Sequence, residues 1–245
     1  MRIDTHNIPS YILTNNLNED YIRKGNQASK NLHNLGYGQV TKYEGVSCPR
    51  KGCDKSHLKL LSDPKVKTPF ILFEDDIVPM RSDHVFEIPY DADALYLGTS
   101  CWSRAWNFWM YDAVIYSDYS DDIVRINNML CSHAVIILTE SYRDIMRRCN
   151  EYSLKQEYNE VCGDQYIVEL MKLFNVYAVD QPVFAQEGKY YDYTSKSIRS
   201  SGWTKQVAQE FYDKHLGPLH RNRMESILPV QDTNKATSFE PLNYN

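Results

Sequence analysis

The segment Phe70-Ile71-Leu72-Phe73 is the most strand-like part of the chain, and it runs directly into Glu74-Asp75-Asp76. Four bulky apolar residues without polar alternation predict a strand that is buried on both faces of a sheet. The three carboxylates then stand where that strand leaves the core. Because they repel one another there, we expect a divalent cation with oxygen ligands at this strand end. A solvated acidic turn is the alternative interpretation of the triplet.

Strand-like and helical patterns alternate on both sides of this segment. Strands are predicted at residues 9–14, 39–44, 94–97, 134–138 and 176–179, and helices at 18–35, from 56 onward, at 141–149 and at 161–174. This alternation predicts an α/β fold with helices on both faces of the sheet and ligands at the carboxyl ends of the strands. We expect one domain over residues 1–215 and a polar C-terminal tail over 216–245.

Composition excludes several classes of protein. The chain has 245 residues, of which 32 are acidic and 27 basic, for a formal charge of -5. No global positive field is therefore available to bind a nucleic acid. Apolar runs reach only about five residues, against the roughly 20 of a membrane span. Six dispersed cysteines and the lack of a secretory signal pattern predict a cytoplasmic protein.

Two blocks of the sequence together resemble the paired signature of glycosyltransferase family 25. They are Gly52-Cys53-Asp54-Lys55-Ser56-His57-Leu58 and Phe73-Glu74-Asp75-Asp76-Ile77-Val78-Pro79. The family contains lipooligosaccharide galactosyltransferases, with collagen galactosyltransferases as relatives. Further similarities follow the family's order at residues 11–15, Arg23, 43–45, 95–98, 132–134, Asp164 and Gln186. The resemblance covers about residues 8–200, and Thr14 departs from it where an asparagine-leucine pair is usual.

The resemblance implies a GT-A-like, Rossmann-type mixed sheet and an inverting, metal-dependent glycosyltransferase. The donor would be a nucleotide-diphosphate sugar, such as a UDP-hexose, and the acceptor a hydroxyl group, such as that of a glycan. Mn²⁺ or Mg²⁺ held by Asp76, with Asp75 or Glu74, would neutralise the leaving diphosphate. His215, Glu187 and water are all candidates for a third ligand.

An inverting displacement also needs a general base, and Asp164 is the candidate. An acid that only stabilises a helix N-terminus is its alternative interpretation. The predicted donor-binding residues are Thr14, Asn15, Asn16, Arg23, Glu44, Gly45, Ser56, His57, Glu74, Asp75 and Gln186. Ser56 could instead be a helix N-cap and His57 a packed imidazole.

Other chemistry-bearing residues complete the prediction. The aromatic stretches 102–111 and 190–193 are expected to stack on sugar faces. Residues 189–202 have the composition of a lid whose Lys189, Lys196 and Arg199 could pair with phosphates, and a solvated basic loop is the alternative interpretation. Asp91-Ala92-Asp93 precedes its strand, so it is expected at the edge of the sheet away from the site. Cys48, Cys53 and His57 do not predict a zinc site, because no fourth ligand stands at a usual spacing.

Two other classes of function remain open at this level. Clustered carboxylates also hold the metal pair of phosphoester hydrolases and nucleases. A sugar-binding module without catalysis would use the same aromatic surface.

Overall fold

The computed structural model describes residues 1–48, 51–105, 108–111, 113–156, 162–208 and 210. Within these residues the strands are β1 (Arg2–Asp4), β2 (Ser10–Thr14), β3 (Val40–Glu44), β4 (Phe70–Glu74), β5 (Ile77–Pro79), β6 (Val85–Glu87), β7 (Ala94–Tyr96), β8 (Ser103–Ala105), β9 (Phe108–Tyr111), β10 (Ile115–Asp118), β11 (Ile123–Asn128), β12 (Ala134–Ile137), β13 (Val176–Val179), β14 (Phe184–Gln186) and β15 (Trp203–Thr204). The α-helices are α1 (Glu19–Asn34), α2 (Gly52–Ser62), α3 (Glu140–Lys155), α4 (Gly163–Leu170), α5 (Tyr191–Thr194) and α6 (Ile198–Ser201).

Nine of the strands form one mixed sheet in the order β15-β10-β11-β13-β7-β12-β4-β2-β3. Strands β2, β3 and β4 are mutually parallel, whereas β12 runs antiparallel to both of its neighbours, β4 and β7. Helices lie against both faces. The predicted Rossmann-like α/β fold with a mixed sheet is therefore confirmed.

Strand β4 lies between β2 and β12 and is buried on both faces. Phe70, Ile71, Leu72 and Phe73 are each 0% exposed. Phe70 and Leu72 belong to the apolar core that includes residues of α2, α3 and α4, while Ile71 and Phe73 belong to the core that includes residues of α1. Successive side chains point to opposite faces of a strand, so one unbroken apolar run supplies both cores.

Helix α1 begins and ends close to the predicted bounds. Asn18 is its N-cap and accepts a hydrogen bond from the backbone N–H of Tyr21, and Ala28 and Leu32 bury its apolar side. Helix α2 differs from the prediction, because it begins at Gly52 with Lys51 as its N-cap. The N-cap interpretation of Ser56 is therefore wrong: Ser56 lies within the helix, where its hydroxyl donates to the carbonyl of Gly52.

The topology brings four chain segments to one edge of the sheet. The carboxyl ends of β2, β3 and β4 are Thr14, Glu44 and Glu74, and Ala134 at the amino end of antiparallel β12 pairs with Phe73. The residues just before β12 thus meet the residues just after β4. Asp93 lies at the opposite edge, as predicted, where its carboxylate accepts hydrogen bonds from Thr139 and Asn175.

The antiparallel pair β10 and β11 and the short pairs β1–β6 and β5–β14 were not predicted. Each of these pairs contains a strand of only three or four residues, which is too short for a clear periodic pattern. Among the described residues, no helix is both long and apolar enough to cross a bilayer. The predicted tail, residues 216–245, lies outside the described residues.

Gly98, just after β7, makes room for a buried histidine. A Cβ atom at this position would lie 2.1 Å from Nε2 of His133. The His133 ring is held by contacts of Nε2 with the Phe184 carbonyl (3.2 Å) and of Nδ1 with the Cys131 sulfur (3.3 Å). Burial lowers the pKa of His133 to about 4, so the ring is neutral near pH 7.

We expect Gly98→Ala to lower the free energy of unfolding by about 1–3 kcal/mol, because the new methyl group overlaps the His133 imidazole. Urea unfolding at neutral pH measures this loss. In a His133→Ala background the obstructing ring is absent, so the same substitution should cost much less. An equal cost in both backgrounds would contradict the proposed clash.

Candidate functional site

A cleft at the carboxyl edge of the sheet consists of two adjoining cavities. The first, of about 320 Å³, is lined by residues that include Asp164, Ser132, Trp102, Gln186 and Tyr190. The second, of about 360 Å³, is lined by Thr14, Asn15 and Ser56, by Asp75 and Asp76, and by residues at the start of α1 and α2. Cys53, His57 and Glu74 line both, so these three side chains mark the junction.

Strand alternation separates the three consecutive carboxylates. Glu74 lies on the same face of β4 as Leu72 and points towards α2 and α4, where it lines both cavities. Asp75 follows on the other face, towards α1: a Cβ at Gly25 of that helix would lie 3.9 Å from the Cβ of Asp75. Asp75 and Asp76 line only the second cavity.

The environment of the carboxylates disfavours their charged forms. Burial, with smaller contributions from the charges of Asp76, Asp164 and Asp75, raises the pKa of Glu74 to about 8. Burial and then the charge of Asp76 raise the pKa of Asp75 to about 6. Burial also raises the pKa of Asp76, although the Gln186 amide and the Lys24 ammonium oppose the shift. A cation bound in this cleft would favour the charged forms of all three carboxylates and so lower their pKa values.

Two side chains orient the Glu74 carboxylate by hydrogen bonds, and a third lies close to it. The hydroxyl of Ser132 donates to Oε1 at 2.7 Å, and Nε2 of Gln186 donates to Oε2 at 3.2 Å. The Gln186 amide also lies 3.4 and 3.5 Å from the two carboxylate oxygens of Asp76, so it bridges both acids. Nε2 of His57 lies 3.7 Å from Oε1 of Glu74. These contacts fix one carboxylate at the boundary between the cavities.

Asp164 stands in the first turn of α4 and lines the first cavity, as the sequence predicts for a residue facing the site. Its position depends on Asp54, a buried residue of α2. Oδ1 of Asp54 accepts the backbone N–H of Gly163 at 3.0 Å, and the hydroxyl of Ser153 in α3 donates to Oδ2. Asp54 thereby ties α2 and α3 to the N-terminus of α4 and satisfies an otherwise unpaired helix donor.

Gly163 makes a close approach of α4 to α3 possible. A Cβ atom at this position would lie 2.4 Å from the side-chain oxygen of Asn150. Asn150 is buried, and its amide donates to the carbonyl of Met146. The glycine before Asp164 is therefore required by packing, and it lets the acid stand at the cleft wall.

The two aromatic stretches meet beside the first cavity. The ring of Trp102 lies 4.2 Å from that of Tyr193 at 32° and 5.9 Å from that of Tyr190 at 90°, measured between centroids. Trp102 and Tyr190 both line the cavity. This arrangement presents flat apolar surface next to Asp164 and Glu74. Trp106 and the side chains of residues 108–111 lie outside what the structure describes.

The predicted donor residues divide into groups. Thr14, Asn15, Ser56, His57, Glu74 and Asp75 line the second cavity, and Gln186 lines the first. Asn16, Arg23, Glu44 and Gly45 line neither. The amide of Asn16 donates to Glu44 at 3.3 Å and joins the ends of β2 and β3, while Arg23 pairs with Asp20 at 2.9 Å and Glu187 at 3.4 Å.

Ser56 and Gly45 form a backbone tie beneath the second cavity. The Ser56 hydroxyl accepts the N–H of Val46 at 2.8 Å, and a Cβ at Gly45 would lie 2.5 Å from that hydroxyl oxygen. The backbone N–H of Gly45 donates to the carbonyl of Thr14 at 2.7 Å. These residues shape the cavity wall, and Ser56 reaches its surface.

The stretch predicted as a lid is anchored at its C-terminal half. Arg199 pairs with Asp118 at 2.9 Å and donates to the carbonyls of Ser120 and Asp121 in the β10–β11 turn. It therefore does not face the cleft, in contrast to the prediction that it pairs with phosphates. Lys189 lies over the ring of Tyr190 at 4.8 Å, near the first cavity.

Oxygen donors suited to a hard cation line the second cavity at Asp75 and Asp76, with Glu74 at its boundary. Of the three candidates for a further ligand, Glu187 is exposed and paired with Arg23, and His215 lies outside the described residues. Among the described residues, one set of three brings a ligand atom from each His, Cys, Asp or Glu within 4.8 Å of the others: Cys53, His57 and Glu74.

Sequence reasoning did not assign roles to Asp54 and Ser132, although both stand in quoted motifs. Their partners, Gly163 and Glu74, are distant in the chain, so spacing carries no signal for these contacts. No protein-family model and no curated protein matches this chain. The resemblance to glycosyltransferase family 25 therefore stays a prediction from the motifs.

We expect Glu74→Gln to stabilise the metal-free protein in a pH-dependent way. The folded-state pKa of Glu74, near 8, exceeds the ordinary value of 4.5, so the protonated carboxyl stabilises the folded state. This stabilisation is fully present below pH 4.5 and is lost as the pH rises through 8. Glutamine does not titrate. The variant's advantage in free energy of unfolding should therefore grow between pH 5 and pH 8, by on the order of 3 kcal/mol. Urea unfolding with a chelator present measures it.

The control for this prediction is Glu87→Gln, a change of the same type at an exposed position of β6. It should show no comparable pH-dependent gain. An advantage of Glu74→Gln that is equal at pH 5 and pH 8 would contradict the raised pKa.

We expect Asp54→Ala to lower the free energy of unfolding by about 2–4 kcal/mol, because the Gly163 N–H and the Ser153 hydroxyl both lose their buried acceptor. Asp121→Ala, in the exposed β10–β11 turn, is the control and should change stability by less than about 0.5 kcal/mol. Equal effects of the two substitutions would show that Asp54 does not hold α4.

Proposed function

We propose that this protein is a metal-dependent, inverting glycosyltransferase that moves a sugar from a nucleotide-diphosphate sugar to a hydroxyl acceptor. One observation carries the proposal. Two cavities meet at Glu74: one has a pair of oxygen-donor carboxylates, Asp75 and Asp76, and the other has a carboxylate beside stacked aromatic rings, Asp164 with Trp102. A transfer reaction needs two binding sites that share one reaction point.

The second cavity is the proposed donor site. Thr14 and Asn15 at the end of β2, and Ser56 in α2, offer polar groups to a nucleoside, and UDP is the nucleotide that the family resemblance favours. Asp75 and Asp76 would hold Mn²⁺ or Mg²⁺, which when bound supplies Lewis-acid neutralisation of the charge on the leaving diphosphate. Lys24 stands close enough to influence both carboxylates electrostatically.

The first cavity is the proposed acceptor site. Asp164 is the group that would accept the proton of the attacking hydroxyl, while its place at the N-terminus of α4 stabilises its ionised form. The rings of Trp102 and Tyr190 offer apolar faces on which a sugar can stack, and a glycan is therefore the favoured acceptor. Glu74, held by Ser132 and Gln186, keeps the boundary between the two sites rigid.

Calorimetric titration of the metal-free protein with UDP, with and without Mn²⁺, tests the donor site. We expect binding that requires the metal. In Asp76→Asn the metal-dependent part should be lost, because a carboxylate ligand becomes a neutral amide. Asp91→Asn, in the Asp-x-Asp sequence at the opposite edge of the sheet, is the matched control and should bind as the wild type does. No binding of UDP, GDP or another nucleotide under either condition would overturn the proposal.

Asp164→Asn tests the acceptor side, with the same titration for nucleotide binding and a transfer assay for turnover. We expect nucleotide binding to persist while transfer from a panel of nucleotide sugars falls by about 10²–10⁴-fold, as for loss of a general base. Transfer at the wild-type rate would remove Asp164 from the mechanism. Glycan binding without turnover in either protein would favour the sugar-binding module, and release of sugar phosphate or inorganic phosphate from simple esters would favour a hydrolase.

A further inference from the structure

The junction between the two cavities contains a cysteine thiol, Cys53, which is a soft ligand that Mn²⁺ and Mg²⁺ sites do not use. The Cys53 side chain is exposed to the cleft, the His57 ring is 4% exposed, and Glu74 reaches the same point from β4. One ligand atom from each lies within 4.8 Å of the other two. Thiolate, imidazole and carboxylate groups are each zinc ligands in proteins, and three protein ligands leave the fourth position of a tetrahedral zinc site open.

The tautomer of His57 points a lone pair at this junction. Nδ1 lies 3.1 Å from the carbonyl of Cys53, one helical turn earlier, and donates its hydrogen there. A carbonyl only accepts, so Nε2 is the unprotonated nitrogen. Nε2 is buried and has no hydrogen-bond partner among the described residues. An unpartnered buried acceptor is costly unless a ligand satisfies it.

The atom facing this nitrogen already accepts the Ser132 hydroxyl. Oε1 of Glu74 lies 3.7 Å from Nε2, which is too long for a hydrogen bond. Two ligands of one tetrahedral zinc ion, each about 2.0–2.2 Å from it, lie roughly 3.3–3.6 Å apart. The observed separation thus matches two ligands with a space for the ion between them. The Cys53 sulfur lies 3.4 Å from Nδ1 of the same ring, and it belongs to the set in which one ligand atom from each residue lies within 4.8 Å of the other two.

The supporting contacts of a metal site are already present. The Cys53 carbonyl fixes the His57 ring, and the Ser132 hydroxyl donates to Oε1 of Glu74 at 2.7 Å. Ligands in metal sites are oriented by partners of this kind. We infer that Cys53, His57 and Glu74 bind one Zn²⁺ ion at the junction, with a coordination position open to the cleft. On binding, the Cys53 thiol releases its proton to solvent and the ion takes its place.

This zinc site is distinct from the hard-cation site at Asp75 and Asp76 and does not depend on the proposed function. Sequence spacing does not predict this set of ligands, because Glu74 lies 17 positions beyond His57 and belongs to strand β4 rather than helix α2. Cys48, which the sequence groups with Cys53, is not part of it: Nζ of Lys55 lies 3.1 Å from the Cys48 sulfur.

Cobalt substitution of the full chain tests the inference, because Co²⁺ bound to a thiolate gives a charge-transfer absorption band that carboxylate ligands do not produce. Chelator-treated protein is titrated with Co²⁺ and then with Zn²⁺. We expect one thiolate-bound Co²⁺ per chain, displaced by Zn²⁺. In Cys53→Ser the band should disappear, and Zn²⁺ affinity should fall by more than about 100-fold, since even loss of a ligand's hydrogen-bond partner costs 10–100-fold.

Cys162→Ser is the matched control, because Cys162 is also exposed and lines the first cavity but lies outside the three-residue set. It should keep the band. His57→Gln provides a second ligand variant that decides the question if Cys53→Ser does not fold. Absence of the band in the wild-type protein, its survival in Cys53→Ser, or its loss in Cys162→Ser alone would overturn the zinc site. Titration with UDP and Mn²⁺ uses zinc-free protein, so failure of the proposed function is measured separately.

Discussion

The apolar side chains of strand β4 are completely buried, and the elements around the strand are positioned by packing against them. Its four apolar side chains supply both cores, and each fully buried side chain of this size stabilises the fold by about 1.5–3 kcal/mol. A shift of register by one residue would exchange the two faces and lose that complementarity. The strand therefore ends at a fixed point, and the carboxylates that follow it emerge at a fixed point too.

Glu74 illustrates how a fold can hold a group that its surroundings disfavour. Burial and neighbouring acids raise the pKa of its carboxyl to about 8, yet Ser132 and Gln186 keep the side chain in one orientation. Stability alone would be served better by an uncharged residue at this position. Strongly perturbed carboxylates in a cleft are characteristic of functional sites, where stability is given up for chemistry.

The cleft is assembled by helices as much as by strand ends. Asp54 joins α2 and α3 to the first turn of α4, and Gly163 permits the close packing that sets Asp164 in the cleft wall. On the far side, hydrogen bonds of Arg199 hold the segment after β14 against the β10–β11 turn. The Thr194 hydroxyl donates to the carbonyl of Tyr190 and accepts the backbone N–H of Gln186 at 2.8 Å. The wall that carries the Gln186 bridge is thus held from two directions.

Local sequence patterns were enough to predict the α/β alternation, the buried strand at residues 70–73, the start of α1 at Asn18 and the position of Asp164 near a helix N-terminus. These features follow from local periodicity, capping and runs of apolar residues, all of which are written in adjacent positions. The same local information placed Ser56 at a helix start, where the helix in fact begins four residues earlier, and directed Arg199 to phosphates.

Which side chains meet across the cleft depends on how the whole chain folds. Antiparallel β12 carries Ser132 to Glu74 across 58 positions, Asp54 reaches Gly163 across 109, and Cys53 and His57 share a junction with an acid from a different element. Such contacts depend on strand order and direction, which periodicity does not encode. A run of apolar residues specifies that a strand is buried, whereas the packing of the whole sheet determines which strands lie beside it.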